Sequence, residues 1–263
     1  MAGQVDLHVE EREGGAVARL TVAHDAKLNT LNPQLMQELI LKADGLAART
    51  DLRAVVLTGE GSRAFIGGAD IRTMAEIQDG PAAERFIELV HRSCHVFRDL
   101  PVPVIARING FTLGAGLEVA ASCDLRIAAE SARFGMPEVL VGIPSVVEAA
   151  LLPGLIGWGR TRRLLLLGET IGAAEALEWG LVERVVPDSD LDAAVEEWIG
   201  RLLHAAPQAV RIQKRLIRQW EDLPLKEAVA AGIPAFASAW TTEEPRERMR
   251  GFLESQAARK RSG

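Results

Sequence analysis

Apolar residues in the first two thirds of the chain follow a two-residue repeat or form short continuous runs. Alternation over residues 16–22 predicts a strand with one buried face. The run at 53–58 is apolar at its centre without interruption, which is typical of a strand covered on both faces. Shorter apolar segments predict further strands at 104–108, 124–128 and 182–186.

Helical patterns lie between these strands and after them. Asn32 suits the N-cap of a helix and Pro33 its first position, so we expect a helix to begin there. A long amphipathic helix is predicted over 81–100, and from about residue 191 onward no strand pattern remains. Helices are predicted there over 191–203, 207–221 and 245–260. The pattern therefore favours an α/β core over residues 1–195 and a helical region over 196–263.

Glycine-containing turns follow two of the predicted strands. Residues 67–70 read Gly-Gly-Ala-Asp, and residues 114–116 read Gly-Ala-Gly at the start of an apolar helix. Glycines let backbone N–H groups approach a ligand closely, and a helix N-terminus offers unpaired donors. Two such turns together would suit an oxyanion. Taken singly, each turn is better explained as a tight turn without a ligand.

Two glutamates stand alone in apolar surroundings. Glu118 is the single charge in the helix after the second turn, and Glu138 is the single acid of segment 134–140. Burial raises the pKa of a carboxyl group towards values useful in proton transfer. A pair of carboxylates in one site can divide acid and base roles. The sequence pattern alone does not place the two side chains together.

Composition narrows the partners and the setting. The net charge of −6 disfavours nucleic acid, and no apolar run approaches the ~20 residues of a membrane helix. No secretory signal is expected at the N-terminus. Cys94 and Cys123 are too few for a disulfide framework or a four-ligand zinc site. A cytoplasmic protein is expected.

Other chemistries have weaker support in the sequence. His91 and His95 have a spacing that can bind a metal, but no third ligand is evident, so an ordinary amphipathic helix is favoured and no metal is expected. A dinucleotide fingerprint beginning at Gly114 fails at Val119, and the serine-hydrolase signature is absent.

Several segments, in their order and spacing, resemble the crotonase, or enoyl-CoA hydratase/isomerase, superfamily. The resemblance covers nearly the whole chain and rests on residues 27–31, 63–71, 104–124, 134–138 and 180–182. It implies a crotonase-like spiral of β-β-α repeats with a helical C-terminal region. It also implies a homotrimer or homohexamer.

The resemblance also assigns roles to individual residues. The backbone N–H groups of Ala69 and Ala115 would form an oxyanion hole for the thioester oxygen of an acyl-CoA. Glu118 would activate water and Glu138 would deliver a proton to the α-carbon, so the presence of both favours an enoyl-CoA hydratase. Coenzyme A would enter with the substrate, and no separate cofactor is implied. The alternatives are another crotonase-type isomerase, hydrolase, decarboxylase or lyase, and a non-catalytic acyl-CoA-binding protein.

The predicted substrate-binding set extends around the two turns. Its members are Lys27, Leu28, Arg63, Ala64, Gly67, Asp70, Ile71 and Gly114. Lys27 and Arg63 are candidates for the anionic end of coenzyme A.

The sequence departs from the family pattern at two places, Ser255, where the family often has a lysine, and the segment 145–148. Residues 145–148 read Ser-Val-Val-Glu where hydratases usually carry a glycine-rich stretch, so the acyl pocket is expected to be reshaped. Glu148 is either a third acid of the site or, with Ser145, part of a capping box that starts a helix. The capping box is the favoured interpretation.

Overall fold

A computed structural model describes the backbone of residues 3–262 and the side chains as far as Arg259. The chain divides into two compact units, one up to Ile199 and the other from Gly200 onward. The domain division that we predicted, 1–195 and 196–263, stays a prediction.

Strands and helices alternate through the first unit. The strands are β1 (Gln4–Arg12), β2 (Gly15–Ala23), β3 (Leu52–Gly59), β4 (Ala64–Ile66), β5 (Val104–Ile108), β6 (Phe111–Leu113), β7 (Leu125–Ala129), β8 (Arg133–Gly135), β9 (Thr170–Gly172) and β10 (Arg184–Val186). The helices of the whole chain are α1 (Pro33–Ala47), α2 (Ile71–Ala75), α3 (Gly80–Asp99), α4 (Ala115–Ser122), α5 (Leu152–Leu167), α6 (Ala173–Trp179), α7 (Leu191–His204), α8 (Pro207–Asp222), α9 (Leu225–Ala239) and α10 (Glu244–Ser262). Short 3-10 turns lie at Asp25–Lys27, Pro137–Val141, Val147–Leu151 and Asp188–Asp190.

The strands form two sheets. The larger has the order β1-β2-β3-β5-β7-β10 and is parallel except for the β1–β2 hairpin. The smaller has the order β4-β6-β8-β9, with only β8 and β9 antiparallel among the described strands. Every residue of β3 is buried, as its continuous apolar run predicts.

A β-β-α repeat builds the first unit. The pairs β3–β4, β5–β6 and β7–β8 each contribute one strand to each sheet and then lead into helical structure. The sequence indicated two passes of this unit, and the structure contains a third at β7–β8. The predicted α/β spiral with a helical C-terminal region is confirmed.

The parallel pairing of β4 with β6 brings the two glycine turns together. Ile66 lies opposite Thr112, so turns 67–70 and 114–116 leave neighbouring strands at the same edge. Gly116 packs so closely on β4 that an added Cβ would lie 2.0 Å from the Ile66 carbonyl oxygen. Only glycine permits this approach, which sets the first turn of α4 beside the end of β4.

Several elements were absent from the sequence prediction, and the longest of them are β1, α5 and α9. Strand β1 has an apolar alternation, Val5, Leu7 and Val9, that the sequence analysis did not use. Of its residues only Val5 is buried, because β1 lies at the edge of its sheet. Helix α9 contains Pro234 in its interior, which obscures a helical pattern. The helix predicted to begin at Pro33 is confirmed, because the Asn32 side chain accepts a hydrogen bond from the Leu35 N–H at 2.9 Å.

No helix among the described residues is both long enough and apolar enough to cross a membrane.

Candidate active site

A pocket of about 660 Å³, partly open to solvent, lies where the two glycine turns meet. Both turns contribute to its wall, and so do Glu118 and Glu138. The remaining wall is mostly apolar and comes from Ile71, Met74, Phe86, Ile87, Val90, Leu113, Pro137, Val141, Ile143, Pro144, Ser145 and Val146. An apolar pocket with a few convergent polar groups is the usual form of a small-molecule site.

The N–H groups of Ala69 and Ala115 are available on this wall. The Leu31 N–H donates to the Gly68 carbonyl and the Asp70 N–H donates to the Leu31 carbonyl, which fixes the chain on both sides of Ala69. Ala115 is the first residue of α4, where backbone donors have no partner within the helix. Across the described chain, neither of these two N–H groups donates to a protein acceptor.

Glycine at position 68 is required by the backbone. Gly68 has a φ of 111°, a conformation that other residues rarely adopt, and an added Cβ would lie 3.2 Å from the Leu113 carbonyl oxygen. The close passage of the two turns therefore depends on this residue, and it brings the two predicted oxyanion-hole donors to one pocket.

Glu118 lies in α4, one turn after Ala115, and is only 5% exposed. Its Oε1 accepts a hydrogen bond from the Ala149 N–H at 3.1 Å. Burial raises the pKa of Glu118 to about 8, and the negative charge of Glu138 acts in the same direction. In the unliganded protein near pH 7, burial therefore favours the protonated form of Glu118.

Glu138 occupies the 3-10 turn Pro137–Val141 and also lines the pocket. The Ser145 hydroxyl donates to its Oε2 at 2.8 Å. Its Oε1 lies so near turn 114–116 that a Cβ added at Gly114 would be 2.3 Å from it. Glu138 is thus held against the turn that carries Ala115.

The capping box predicted for Ser145 and Glu148 is wrong. The turn Val147–Leu151 begins after Val146, and no side chain of the described residues caps it. Ser145 is directed into the pocket and binds Glu138, so it is not available to the turn's N–H groups. Val147 has a φ of 39°, which is uncommon for a β-branched residue and marks a local constraint in this segment.

Glu148 precedes Ala149, whose N–H binds Glu118. It is 6% exposed and, among the described residues, is not one of those lining the pocket. The Nδ1 of His91 lies 2.7 Å from Glu148 Oε1, and burial raises the pKa of this carboxyl group despite the histidine. The sequence offered no third partner for His91 and His95, whereas the fold brings Glu148 to them.

Several predicted substrate-binding residues surround a shallower pocket beside the first. Lys27, Gly67, Asp70 and Ile71 line it, and the Lys27 ammonium lies 3.6 Å from an Asp70 carboxylate oxygen. The other oxygen of Asp70 accepts from the Arg72 N–H at 2.8 Å and so caps α2. This side of the site carries a half-exposed cation next to the turn of Ala69.

The remaining predicted residues lie farther from the pocket wall. Arg63 forms an exposed ion pair with Asp25 at 2.9 Å. Ala64 is fully buried in β4, and the carbonyl of Leu28 accepts from the Gly67 N–H at 2.9 Å. Ala64 and Leu28 therefore support the first turn through packing and backbone hydrogen bonds.

Sequence reasoning missed the helical wall of the pocket and the role of Ser145. Phe86, Ile87 and Val90 line the pocket from α3, which the sequence analysis described only as an amphipathic helix. Nothing in the sequence distinguishes a residue facing the core from one facing a pocket, because both positions are apolar.

Comparison with known protein sequences identifies one family. The sequence model of the family described as Enoyl-CoA hydratase/isomerase matches residues 12–260. The chain is 36% identical to a short-chain-enoyl-CoA hydratase of Clostridium acetobutylicum, covering 94% of each chain. It is 35% identical to a crotonyl-CoA hydratase of Syntrophomonas wolfei, covering 96% of each.

Solved structures of enoyl-CoA hydratases have the same fold as this chain. An enoyl-CoA hydratase from Bacillus anthracis superposes with a TM-score of 0.90 at 31% identity, covering 95% of this chain and 96% of the other. An enoyl-CoA hydratase from Mycobacterium smegmatis also gives a TM-score of 0.90, at 28% identity, with 95% and 96% covered.

Proposed function

The chain belongs to the enoyl-CoA hydratase/isomerase family, and we propose that it adds water reversibly across the 2,3 double bond of an acyl-CoA thioester. The observation that supports this activity best is the convergence of Glu118 and Glu138 on one pocket that also contains the N–H groups of Ala69 and Ala115. The names of the relatives with 35–36% identity support the same reaction.

The two backbone donors would bind the thioester oxygen. Addition at the β-carbon moves negative charge onto this oxygen as an enolate forms. Fixed N–H donors stabilise that charge more strongly in the transition state than in the ground state. The N-terminus of α4 adds a favourable dipole at Ala115.

The glutamate pair would transfer the protons. One carboxylate takes a proton from water as the oxygen attacks the β-carbon, and the other carboxylic acid gives a proton to the α-carbon. The family resemblance makes Glu118 the base and Glu138 the acid. Burial places the resting proton on Glu118 instead, so we propose that the unliganded pair holds one proton and that substrate binding sets its final position.

The two pockets beside turn 67–70 are proposed to bind different parts of the substrate. The apolar wall that includes Phe86, Val90 and Val146 would take the acyl chain. Lys27, beside turn 67–70, and Arg63 would attract the phosphate groups of coenzyme A. No cofactor other than the coenzyme A of the substrate is needed for this reaction.

We further propose that the protein forms a homotrimer or homohexamer and acts in the cytoplasm. Exposed apolar side chains of α9 and α10 support assembly. The buried thiols of Cys94 and Cys123 are suited to a reducing compartment.

Crotonyl-CoA is a suitable first substrate, because the loss of its conjugated thioester absorbance reports hydration directly. We expect the absorbance to fall and mass spectrometry to find the 3-hydroxyacyl-CoA product. Glu138→Gln should lower kcat by about 10²- to 10⁴-fold, since glutamine keeps the shape but transfers no proton. Its folding and its affinity for the thioester should be unchanged.

Arg184→Gln, an exchange in an ion pair outside the pocket, serves as the control and should retain activity. The hydratase proposal fails if the folded protein binds crotonyl-CoA and leaves it unchanged. The role of Glu138 fails if Glu138→Gln turns over at the rate of the unaltered protein.

A further inference from the structure

Two histidines and one buried glutamate form a cluster beside the pocket. His91 and His95 lie one turn apart on α3, with ring centroids separated by 5.1 Å. Glu148 approaches them from the turn Val147–Leu151. One nitrogen from each ring and one carboxylate oxygen all lie within 4.8 Å of one another. Imidazole nitrogen and carboxylate oxygen are ligands that transition-metal cations accept.

The separations suit a shared cation. Glu148 Oε1 lies 2.7 Å from His91 Nδ1 and 3.8 Å from His95 Nδ1. Around a tetrahedral zinc with bonds of ~2.0–2.1 Å, neighbouring ligand atoms are about 3.3 Å apart. The two observed distances lie on either side of that value. The nitrogens of His91 and His95 lie within 4.8 Å of each other, so side-chain rotations that adjust these distances would place all three atoms on one coordination sphere.

Glu148 also presents an unsatisfied oxygen. Its Oε2 is buried and, in the described part of the chain, has no hydrogen-bond partner. A buried carboxylate with an unpaired oxygen is costly, and a bound cation offsets that cost. This oxygen is an observation separate from the spacing of the histidines, and it indicates that the charge of Glu148 lacks a complete set of partners.

Access and outer contacts also fit a metal site. The side chains of His91 and His95 are 44% and 38% exposed, so solvent reaches the cluster and water has room to complete the coordination. An Asp99 oxygen lies 3.4 Å from His95 Nε2. A carboxylate on the second ring nitrogen is the usual partner of a metal-bound histidine, because it fixes the ring orientation.

We propose that His91, His95 and Glu148 bind a divalent transition-metal cation of the zinc class, with at least one position left for water. The site is separate from the substrate pocket. It is joined to it through Ala149, which follows Glu148 and donates its N–H to Glu118. Binding needs both rings neutral, each with its one N–H on the nitrogen away from the metal, and Glu148 ionised; any further proton on these groups leaves to solvent. Affinity therefore falls as the pH is lowered.

Cobalt(II) is a suitable probe, since its visible absorbance intensifies when it enters a four- or five-coordinate site. The metal-stripped full-length protein, freed of any histidine tag, would be titrated with Co²⁺ at neutral pH and then with Zn²⁺ as competitor. We expect saturation near one Co²⁺ per chain and displacement by Zn²⁺. His95→Gln and Glu148→Gln should each weaken binding by ~10-fold or more.

His204→Gln is the matched control, because His204 is an exposed helical histidine outside the cluster. It should leave the titration unchanged. His95 is partly exposed, so its variant tests the site even where Glu148→Gln disturbs folding. The proposal is overturned if Co²⁺ does not saturate below about millimolar concentration, or if His95→Gln binds as tightly as the unaltered protein. The readout is metal absorbance, so its failure would leave the proposed hydratase activity untouched.

Discussion

Glu118 shows how a single residue of the site affects both stability and reactivity. Its pKa in the folded protein is about 8, above the ordinary value of 4.5, because the side chain is buried near Glu138. Below pH 4.5 the folded and unfolded chains both hold the proton. Between 4.5 and 8 the unfolded chain loses it while the folded chain keeps it. Because only the folded chain binds this proton between those values, the free energy of unfolding falls as the pH rises through that window.

Glu118→Gln should consequently stabilise the protein while lowering its turnover. Glutamine is neutral at every pH and its oxygen can still accept from the Ala149 N–H. The shift of the Glu118 pKa corresponds to up to roughly 3 kcal/mol at pH 7. Urea unfolding at pH 4 and pH 7 would measure it, with the exposed Glu84→Gln as control. An equal gain at both pH values would contradict this explanation.

The same pKa predicts the alkaline limb of the rate profile. Hydration needs one proton on the glutamate pair, and kcat/KM reports ionisation of the free enzyme. We expect kcat/KM to fall as the pH rises through about 8, where the pair loses its last proton. A profile that stays level to pH 9.5 in the stable, folded protein would show that Glu118 does not hold the required proton.

Turn 114–116 constrains both the backbone conformation and the space available at Gly114. Gly114 has a φ of 52° and leaves no room for a Cβ, which would lie 2.3 Å from Glu138 Oε1. Gly142 has a φ of 86°, and no atom lies within 4 Å of the position its Cβ would take. Both glycines have a positive φ, but the ψ of −124° at Gly114 lies outside the left-handed helical region that Gly142 adopts, and only Gly114 also contacts a proposed proton-transfer group.

Gly114→Ala and Gly142→Ala therefore form a matched pair. Gly142→Ala should lose about 1 kcal/mol of stability through backbone strain, and Gly114→Ala should lose more, because its backbone conformation lies outside the left-handed helical region. Only Gly114→Ala should also lower kcat, by roughly 100-fold, because the new methyl group displaces the Glu138 carboxylate. Steady-state kinetics and thermal unfolding would separate the two effects. Equal activity in both variants would show that the contact between Gly114 and Glu138 is unimportant.

The parts of the site that follow from the sequence are those built by local backbone chemistry. Turns 67–70 and 114–116 were recognisable because glycines follow predicted strands, and the structure brings both to one pocket. The contact of Glu148 with His91 was not predictable, since it joins residues 57 positions apart across two elements. The same segment misled the sequence analysis, because Ser-Val-Val-Glu is also the pattern of a capping box.

At the scale of the whole molecule, most elements with a clear period were predicted, whereas α5, α9 and most of the three-residue strands were not. Helix α3 and strand β3 agree with the sequence analysis to within one or two residues. Strands β4, β6, β8 and β9 have three residues each, too few for any period to appear. The smaller sheet depends on pairing between distant segments. The prediction of a β-β-α spiral therefore came from the family resemblance and not from the hydrophobic periodicity.

The C-terminal unit leaves an apolar helix face uncovered. Leu225, Val229, Ile233 and Phe236 recur at helical spacing along α9, and each is at least 67% exposed. A row of this kind in water favours association with another copy. We expect light scattering at micromolar concentration to give a trimer or hexamer. Ile233→Asp should shift the protein towards monomer, because it places a charge in the apolar contact.

Leu41→Asp provides the control for that shift. Leu41 is 73% exposed on α1, in the other compact unit, so its replacement adds the same charge outside the proposed contact. It should leave the oligomer unchanged. A monomeric unaltered protein would refute assembly through any surface. An oligomer that persists in Ile233→Asp but dissociates in Leu41→Asp would move the contact from α9 to α1.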